Sequence, residues 1–363
     1  MRIAVLVPTM GGGGAERQIQ LLTEHLPAFG HDVCVITMRS LGQGSVEHPL
    51  PTGTQRIRLD FTGRQLLSSP AKLRRFLRTW RADALLAFNG PAVLAARVTT
   101  VGTRLPLISC VGTSALPSGP RRLLMRISRR ADAMTVFNAS QSLEKYAAAG
   151  LSDPQRSQVI HNALADTVPA TVRPRQAASP FRWIAVGRLT DAKGYDLLVE
   201  SMSQLIQAGH LATLDIFGEG PGAQALERLI EDRQLGHAIH LRGFTFDWHS
   251  SLDDYDGFVL SSRWEGSPNA ALEALACGMP MVASDVGDLA ELLPEGRLAP
   301  PGDSAALAER MRALMGTDAA LRTEEALAAQ QATCARHDLT PVMQRWHEAL
   351  QRLVEEKSRG TLR

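Results

Sequence analysis

The chain has 363 residues, 44% apolar and 21% charged, with a net charge of +2. That length allows two domains with separate cores, and the composition excludes a disordered or fibrous chain. Four dispersed cysteines without a CxxC pair exclude a disulfide framework and a cysteine metal site, and fit a reducing compartment. In the first half, the apolar runs Ile3–Val7, Val33–Thr37, Ala84–Phe88, Pro106–Cys110 and Met134–Phe137 predict buried parallel strands. Helical spacing marks Ala15–Phe29, after the first of these runs, and Gln141–Ala149, after the last. Residues 162–180, rich in Ala, Pro and Thr, read as a linker. The alternation restarts with strands at Trp183–Val186, Thr213–Phe217, Ile239–Arg242, Gly257–Leu260 and Pro280–Ala283. Helices are expected at Asp196–Ala208, Gly222–Leu235, Asn269–Ala276, Ser304–Met315 and, last, Pro341–Lys357.

Two successive runs of alternating strand and helix predict an α/β chain of two Rossmann-like, doubly wound domains facing across a cleft, with ligands at the strand C-terminal ends. The expected boundaries are 1–165 for the first domain and 166–180 for the linker. The second domain spans 181–340, and the terminal helix 341–363 returns to the first. The opening MRIAVLVPTM carries an apolar run too short for a secretory signal and reads as a first strand. Residues 84–98 are interrupted at Asn89, Gly90 and Pro91, so no bilayer span is expected. A cytoplasmic protein follows from these readings.

The small net charge conceals an asymmetry. Residues 1–160 hold 20 Lys and Arg against 9 Asp and Glu, whereas the remainder holds 19 against 28. The first half should therefore seek anionic surfaces. Two stretches concentrate the charge. In Ala71–Arg81 the apolar Leu73, Phe76, Leu77 and Trp80 share a face beside Lys72, Arg74, Arg75 and Arg78. In Arg121–Arg130, Leu123, Leu124 and Ile127 sit beside Arg122 and Arg126. Basic residues along an apolar stripe suit an anionic membrane surface. A surface helix that packs its stripe on a sheet and solvates its arginines gives the same pattern. Nucleic acid is not expected as a partner, because no stacking aromatics accompany the arginines.

Three loops follow predicted strands. Gly11–Gly14 opens the first helix, and its Gly13 and Gly14 let the backbone approach a ligand closely. Gly187-Arg188…Lys193-Gly194 offers two cations to a diphosphate, although a solvated basic loop fits equally. Gly218-Glu219-Gly220 closes the next strand and by itself is a turn. The densest pattern is Glu265-Gly266-Ser267-Pro268-Asn269-Ala270 followed by Glu273. Two carboxylates flank a helix start whose free N–H groups suit a phosphate or sugar oxygen. Asp253-Asp254-Tyr255-Asp256 invites a metal reading, but charge ahead of a strand is ordinary, and no ligand set with metal spacing is present. No metal and no cofactor are expected. The ten histidines show no ligand spacing, and His161 reads as a hydrogen-bonded residue at the domain junction.

These residues, in this order, make the chain resemble the retaining GT-B glycosyltransferases of the GT4 family, also described as glycosyl transferases group 1, of the bacterial cell-surface polysaccharide type. Ala276-Cys277-Gly278, Pro280 and Pro301-Gly302-Asp303 add to the match. The resemblance implies a metal-independent transfer from a nucleotide-sugar donor to a hydroxyl of a lipid-linked saccharide, with a UDP-sugar favoured. It implies that Glu265 contacts the donor sugar, Glu273 the ribose, and Gly266 to Ala270 sugar and phosphate. Arg188 and Lys193 would neutralise the leaving diphosphate, with Glu265, Arg188 and Lys193 as the catalytic set. Gly13, Gly14, Gly187, Gly218 and Glu219 complete the donor contacts. The family's usual N-domain histidine is missing from Val111-Gly112-Thr113-Ser114, leaving Thr113 and Ser114 as acceptor-side candidates. Other readings are a GDP-mannose-dependent mannosyltransferase, a GT-B epimerase or hydrolase, and a non-catalytic nucleotide-sugar-binding subunit. The implied location is the inner face of the plasma membrane, by peripheral contact.

Overall fold

The computed structural model describes residues 1–11, 13–41, 47–61, 69–165 and 179–358. The linker expected at 166–180 therefore lies outside the described residues except for its last two. The chain divides into two compact units. One is Met1–Ala163 together with the terminal helix Leu339–Ser358, and the other is Leu164–Asp338.

The first unit is built on a seven-stranded, wholly parallel sheet. Its strands are β1 (Arg2–Val7), β2 (Asp32–Thr37), β3 (Gln55–Arg58), β4 (Ala84–Phe88), β5 (Leu107–Val111), β6 (Met134–Phe137) and β7 (Ser157–Val159), in the spatial order β3-β2-β1-β4-β5-β6-β7. Parallel pairing needs helical crossovers that cover both faces, so central strands read as unbroken apolar runs. β4 and β5 are buried at every position, whereas the edge strands β3 and β7 bury none of theirs fully. The helices are α1 (Gly14–His25), α2 (Ser69–Thr79), α3 (Gly90–Thr100), α4 (Gly119–Ser128) and α5 (Ser140–Ala148). Leu73 and Leu77 of α2, Ala92, Val93 and Ala96 of α3, and Met125 of α4 pack over one face of the sheet in a single core.

The second unit repeats the plan with six parallel strands. These are β8 (Phe181–Val186), β9 (Ala212–Phe217), β10 (Ile239–Gly243), β11 (Gly257–Leu260), β12 (Met281–Ser284) and β13 (Leu298–Ala299), ordered β10-β9-β8-β11-β12-β13. Helices α6 (Tyr195–Gln207), α7 (Ala223–Asp232), α8 (Asn269–Ala276), α9 (Ser304–Met315) and α10 (Ala319–His337) cover its faces in two cores. Fully buried Trp183 sets a steric condition on its neighbour strand: a Cβ at Gly257 would lie 2.9 Å from the indole ring. Asp256, just before that strand, exchanges hydrogen bonds with Arg182 instead of facing a ligand. Its carboxylate accepts from the Arg182 N–H at 2.9 Å, and its own N–H donates to the Arg182 carbonyl at 2.8 Å.

The chain re-enters the first unit as α11 (Leu339–Ser358). Trp346 meets Phe88 at the end of β4, and His347 stacks on Phe29 at 4.9 Å. Among the described residues no helix is long and apolar enough to cross a membrane.

Candidate functional site

In doubly wound sheets the strand order reverses beside the first strand, and loops at the carboxyl ends there diverge to leave a crevice. In the second unit that switch point falls at β8, between β9 and β11, so the loops after β8, β9, β11 and β12 matter most. Their packing depends on missing side chains. A Cβ on Gly218, after β9, would stand 1.9 Å from the Gly187 carbonyl oxygen, after β8. A Cβ on Gly287, after β12, would stand 2.1 Å from the Gly266 carbonyl oxygen, after β11. Gly194 adopts φ +61 and lies against the Ser261 carbonyl. Backbone bonds complete the joint: the Leu189 N–H donates to the Glu219 carbonyl, and the Arg263 N–H to the Ala192 carbonyl.

On this frame Lys193 meets Glu265. The Lys193 Nζ lies 2.5 Å from Glu265 Oε1, and Ser262 Oγ donates to the same oxygen at 2.9 Å. Glu265 Oε2 has no hydrogen-bond partner among the described residues. The ammonium carries three donors, so the pair presents one free carboxylate oxygen and spare N–H groups at the strand ends. Arg263 holds the loop from behind through a two-pronged ion pair with Asp196 at 2.8 and 2.5 Å. The hydrogen bonds from Arg263 keep the Asp196 carboxyl below its ordinary range. Tyr195 is buried beneath, donating to the Gly187 carbonyl at 3.1 Å. Burial, reinforced by the Glu265 charge, pushes its phenol well above the ordinary value, so it stays neutral.

Glu273 sits one turn into α8, and its partner is a histidine. The His249 Nε2 donates to Glu273 Oε2 at 3.1 Å, and the imidazole stacks on Trp248 at 3.9 Å between centroids. Both lie in the short helical turn Trp248–Asp254 after β10. Gly266 and Pro268 are buried, and Ser267, Asn269 and Ala270 are half-buried along the loop that opens α8. The N-cap residue of that helix is Pro268, whose side chain makes no cap hydrogen bond. Its far end is closed by Cys277-Gly278, where Gly278 takes φ +70 and its N–H donates to the Leu275 carbonyl. Among the described residues no group of three His, Cys, Asp or Glu side chains is arranged to hold a metal ion.

Residues 13–163 match the family described as glycosyl transferase 4-like domain, and residues 180–317 match glycosyl transferases group 1. The chain belongs to the group 1 glycosyltransferase family. Among curated relatives, WcaL of Escherichia coli (strain K12), a glycosyltransferase assigned to colanic acid biosynthesis, is 31% identical over 66% of this chain and 63% of its own length. The Salmonella typhimurium WcaL is 37% identical over 36% of this chain and 35% of its own length. The chain thus spans less than two thirds of the curated relatives it first matches. Among solved structures, HepE of Anabaena in complex with UDP has a TM-score of 0.76 at 20% identity, covering 97% of this chain and 100% of its own. Sucrose-phosphate synthase of Thermosynechococcus elongatus has a TM-score of 0.81 at 18% identity, covering 97% and 99%. The fold of this chain is therefore GT-B, as the family resemblance implies, with the two doubly wound sheets that the alternation of strand and helix predicts.

Arg188 is exposed, and its side chain has no partner among the described residues. Glu219 is exposed, and only its carbonyl is engaged at the joint. Gly13 and Gly14 belong to the first unit, as the N-cap and first residue of α1, and Gly12 lies outside the described residues. Thr113 Oγ1 accepts the Ala115 N–H at 3.1 Å, and Ser114 is buried. The two basic helices differ. α2 buries Leu73 and Leu77 and keeps Lys72, Arg74, Arg75 and Arg78 exposed. α4 leaves Leu123, Leu124 and Ile127 exposed together with Arg122 and Arg126. His161 contacts the Asn138 carbonyl through Nδ1 at 3.3 Å. Sequence reasoning missed His249. Its link to Glu273 spans 24 residues and the intervening β11, so no local spacing announces it.

Proposed function

We propose that this chain is a retaining glycosyltransferase that moves a sugar from a nucleotide-sugar donor, with a UDP-sugar favoured, to a hydroxyl of a lipid-linked saccharide at the inner face of the plasma membrane. The product belongs to surface polysaccharide biosynthesis. The observation that carries this reading is the Lys193–Glu265 pair at the switch-point strand ends, 2.5 Å apart and joined to glycine-lined loops.

In this reading Glu265 Oε2 accepts a donor-sugar hydroxyl, and Glu273 Oε1 accepts from the ribose. Each glutamate has its other oxygen held, by Lys193 and Ser262 in one case and by His249 in the other. Lys193 and Arg188 meet the diphosphate, and the start of α8, with Pro268 at its N-cap, offers it backbone N–H groups. The bond from the anomeric carbon to the phosphate oxygen breaks as negative charge builds on the leaving group. Fixed positive groups stabilise that charge without reorganising. The acceptor oxygen bonds to the anomeric carbon on the same face, and its proton passes to a phosphate oxygen of the departing diphosphate. No metal is needed for these steps, because the cations are supplied by side chains.

A second support is the kinship with glycosyltransferases assigned to colanic acid and amylovoran biosynthesis. The test is thermal stabilisation of the purified chain by UDP or GDP, followed by nucleotide release from the matching sugars. UDP is expected to raise the melting temperature and UDP-sugars to turn over. Stabilisation by neither nucleotide overturns the reading. Turnover unchanged in both Lys193→Ala and Glu265→Ala displaces the site.

A further inference from the structure

Lys193 stands on a single helical turn that does not hold itself. The turn is three residues long, Asp191–Lys193, and its N-cap Thr190 makes no side-chain cap bond. It closes through two bonds, from the Lys193 N–H to the Thr190 carbonyl at 3.0 Å and from the Gly194 N–H to the Asp191 carbonyl at 3.1 Å. Gly194 then takes φ +61 and the chain turns away into α6. A lone turn is the costly nucleus of a helix without the further bonds that offset it. Its place is therefore set from outside.

The support comes from consecutive residues at the end of the neighbouring strand β11. Ser261 Oγ donates to the Lys193 carbonyl at 2.9 Å, the Arg263 N–H to the Ala192 carbonyl at 2.8 Å, and Arg263 Nη1 to the Asp191 carbonyl at 2.9 Å. Every carbonyl of the turn is thus taken by the loop after β11. Arg263 also reaches past the turn to the start of α6, where its fork meets Asp196. Between Ser261 and Arg263, Ser262 holds Glu265. One tripeptide therefore anchors both members of the Lys193–Glu265 pair. An ion pair fixes the separation of its two charges but not where the pair stands, and the tripeptide supplies that second condition. The ionic part of this clamp adds little to stability, because Asp196 is 52% exposed and Asp191 76%. What the fork gives is direction, since a guanidinium meets a carboxylate in one plane.

We propose that Arg263 is a positioning residue for the Lys193 ammonium, and that it acts on glycosyl transfer only through that ammonium. It locks the lysine turn to the glutamate loop, so that Nζ is in place before negative charge builds on the leaving diphosphate. The inference rests on the donor-site reading of Lys193 given above. It adds the residue that decides where the cation stands.

The test is a kinetic cycle on the full chain, read as nucleotide release from the preferred donor. Arg263→Ala is expected to lower kcat about 10–10²-fold, as a misplacement of about 1 Å does, with donor KM changed little. Arg263→Lys keeps the charge without the fork and should lose nearly as much. Lys193→Ala with Arg263→Ala should match Lys193→Ala alone within about twofold. Losses that multiply in the double variant overturn the proposal, because Arg263 then acts on the site at large. Full activity in Arg263→Lys also overturns it, since charge without geometry then suffices. Amide hydrogen exchange gives a readout that needs no turnover. Exchange across residues 190–194 is expected to quicken about tenfold in Arg263→Ala, while β8 and β11 keep their protection and show the unit folded. Unchanged exchange in the turn overturns the clamp. If Arg263→Ala does not fold, Arg263→Lys carries both readouts. Absent nucleotide release by the wild type, or full activity in Lys193→Ala, counts against the donor-site reading, and exchange then decides by itself whether Arg263 fixes the lysine turn.

Discussion

Lys193 and Glu265 touch across 72 residues of chain, with Nζ 2.5 Å from Oε1. Their shared oxygen is also bonded by Ser262, so the carboxylate is fixed before any ligand arrives. Removing the cation should therefore act on the transition state more than on folding. Lys193→Ala is expected to lower kcat by about 10²–10³-fold, while Ser262 still holds the glutamate. Glu265→Gln keeps the shape and is expected to lower kcat/KM roughly a hundredfold. Steady-state kinetics with the preferred donor measures both. Equal kcat in wild type and Lys193→Ala removes Lys193 from the chemistry.

His249 is a positioning residue for Glu273. His249→Ala frees the carboxylate to rotate, and the expected result is a rise of about tenfold in donor KM with kcat changed little. His249→Asn restores a donor at similar reach and should recover part of the affinity. A fall in kcat with unchanged KM is the opposite outcome and places His249 in the chemical step.

The glycine joint gives a steric prediction. Gly218→Ala sets a Cβ against the Gly187 carbonyl oxygen. The carbonyl is main chain and the methyl is fixed directly to main chain, so neither can swing aside. A loss of roughly 2–4 kcal/mol in unfolding free energy is expected, together with weaker UDP stabilisation. Denaturant titration and the UDP thermal shift read the two effects.

The buried Arg97–Asp132 pair predicts an asymmetry. Arg97→Ala leaves a carboxylate 3% exposed without its cation and should cost about 3–5 kcal/mol. Arg97→Met with Asp132→Leu removes both charges and should recover most of that loss. Urea unfolding of the four proteins in the cycle decides it.

Acid should weaken the packing of α11. His31 Nε2 and His347 Nδ1 are 2.8 Å apart, a distance that needs a proton on only one of them. Burial, then the N-terminal ammonium, then His347 lower the His31 pKa from 6.5 to about 4. Between those values the unfolded chain takes up a proton that the folded chain refuses, so stability falls as pH drops from about 6.5 and levels off below about 4. His31→Gln should flatten that part of the curve when urea midpoints are compared at neutral and acidic pH.

The alternation of strands, and with it the glycine-bearing loops at the strand ends, was legible because buried parallel strands leave unbroken apolar runs. Elements outside that rule were not. β3, Gln-Arg-Ile-Arg, is an edge strand with only Ile57 half-buried, so it carries no apolar run. α3 is apolar almost all round, and its opening Asn89-Gly90-Pro91 reads as an interruption although the proline occupies the first helical turn. Glu265 stood out through its neighbours in sequence, whereas the lysine that holds it and the histidine that holds Glu273 come from other strand ends. The two arginine-rich helices look alike as sequences. Only packing separates α2, which spends its stripe on the core, from α4, which does not.

The path of the main chain carries one more consequence. The second unit begins at Leu164 and ends at Asp338, and the Leu164 N–H donates to the His337 carbonyl at 2.8 Å. Departure and return are thus stitched together at a single rung. A segment whose two ends already meet can be cut out, closed with a short bridge or exchanged for another of its kind with little disturbance to the host. The second unit is therefore a cassette, and chimaeras crossing over at Ala163 and Leu339 are the natural way to exchange it.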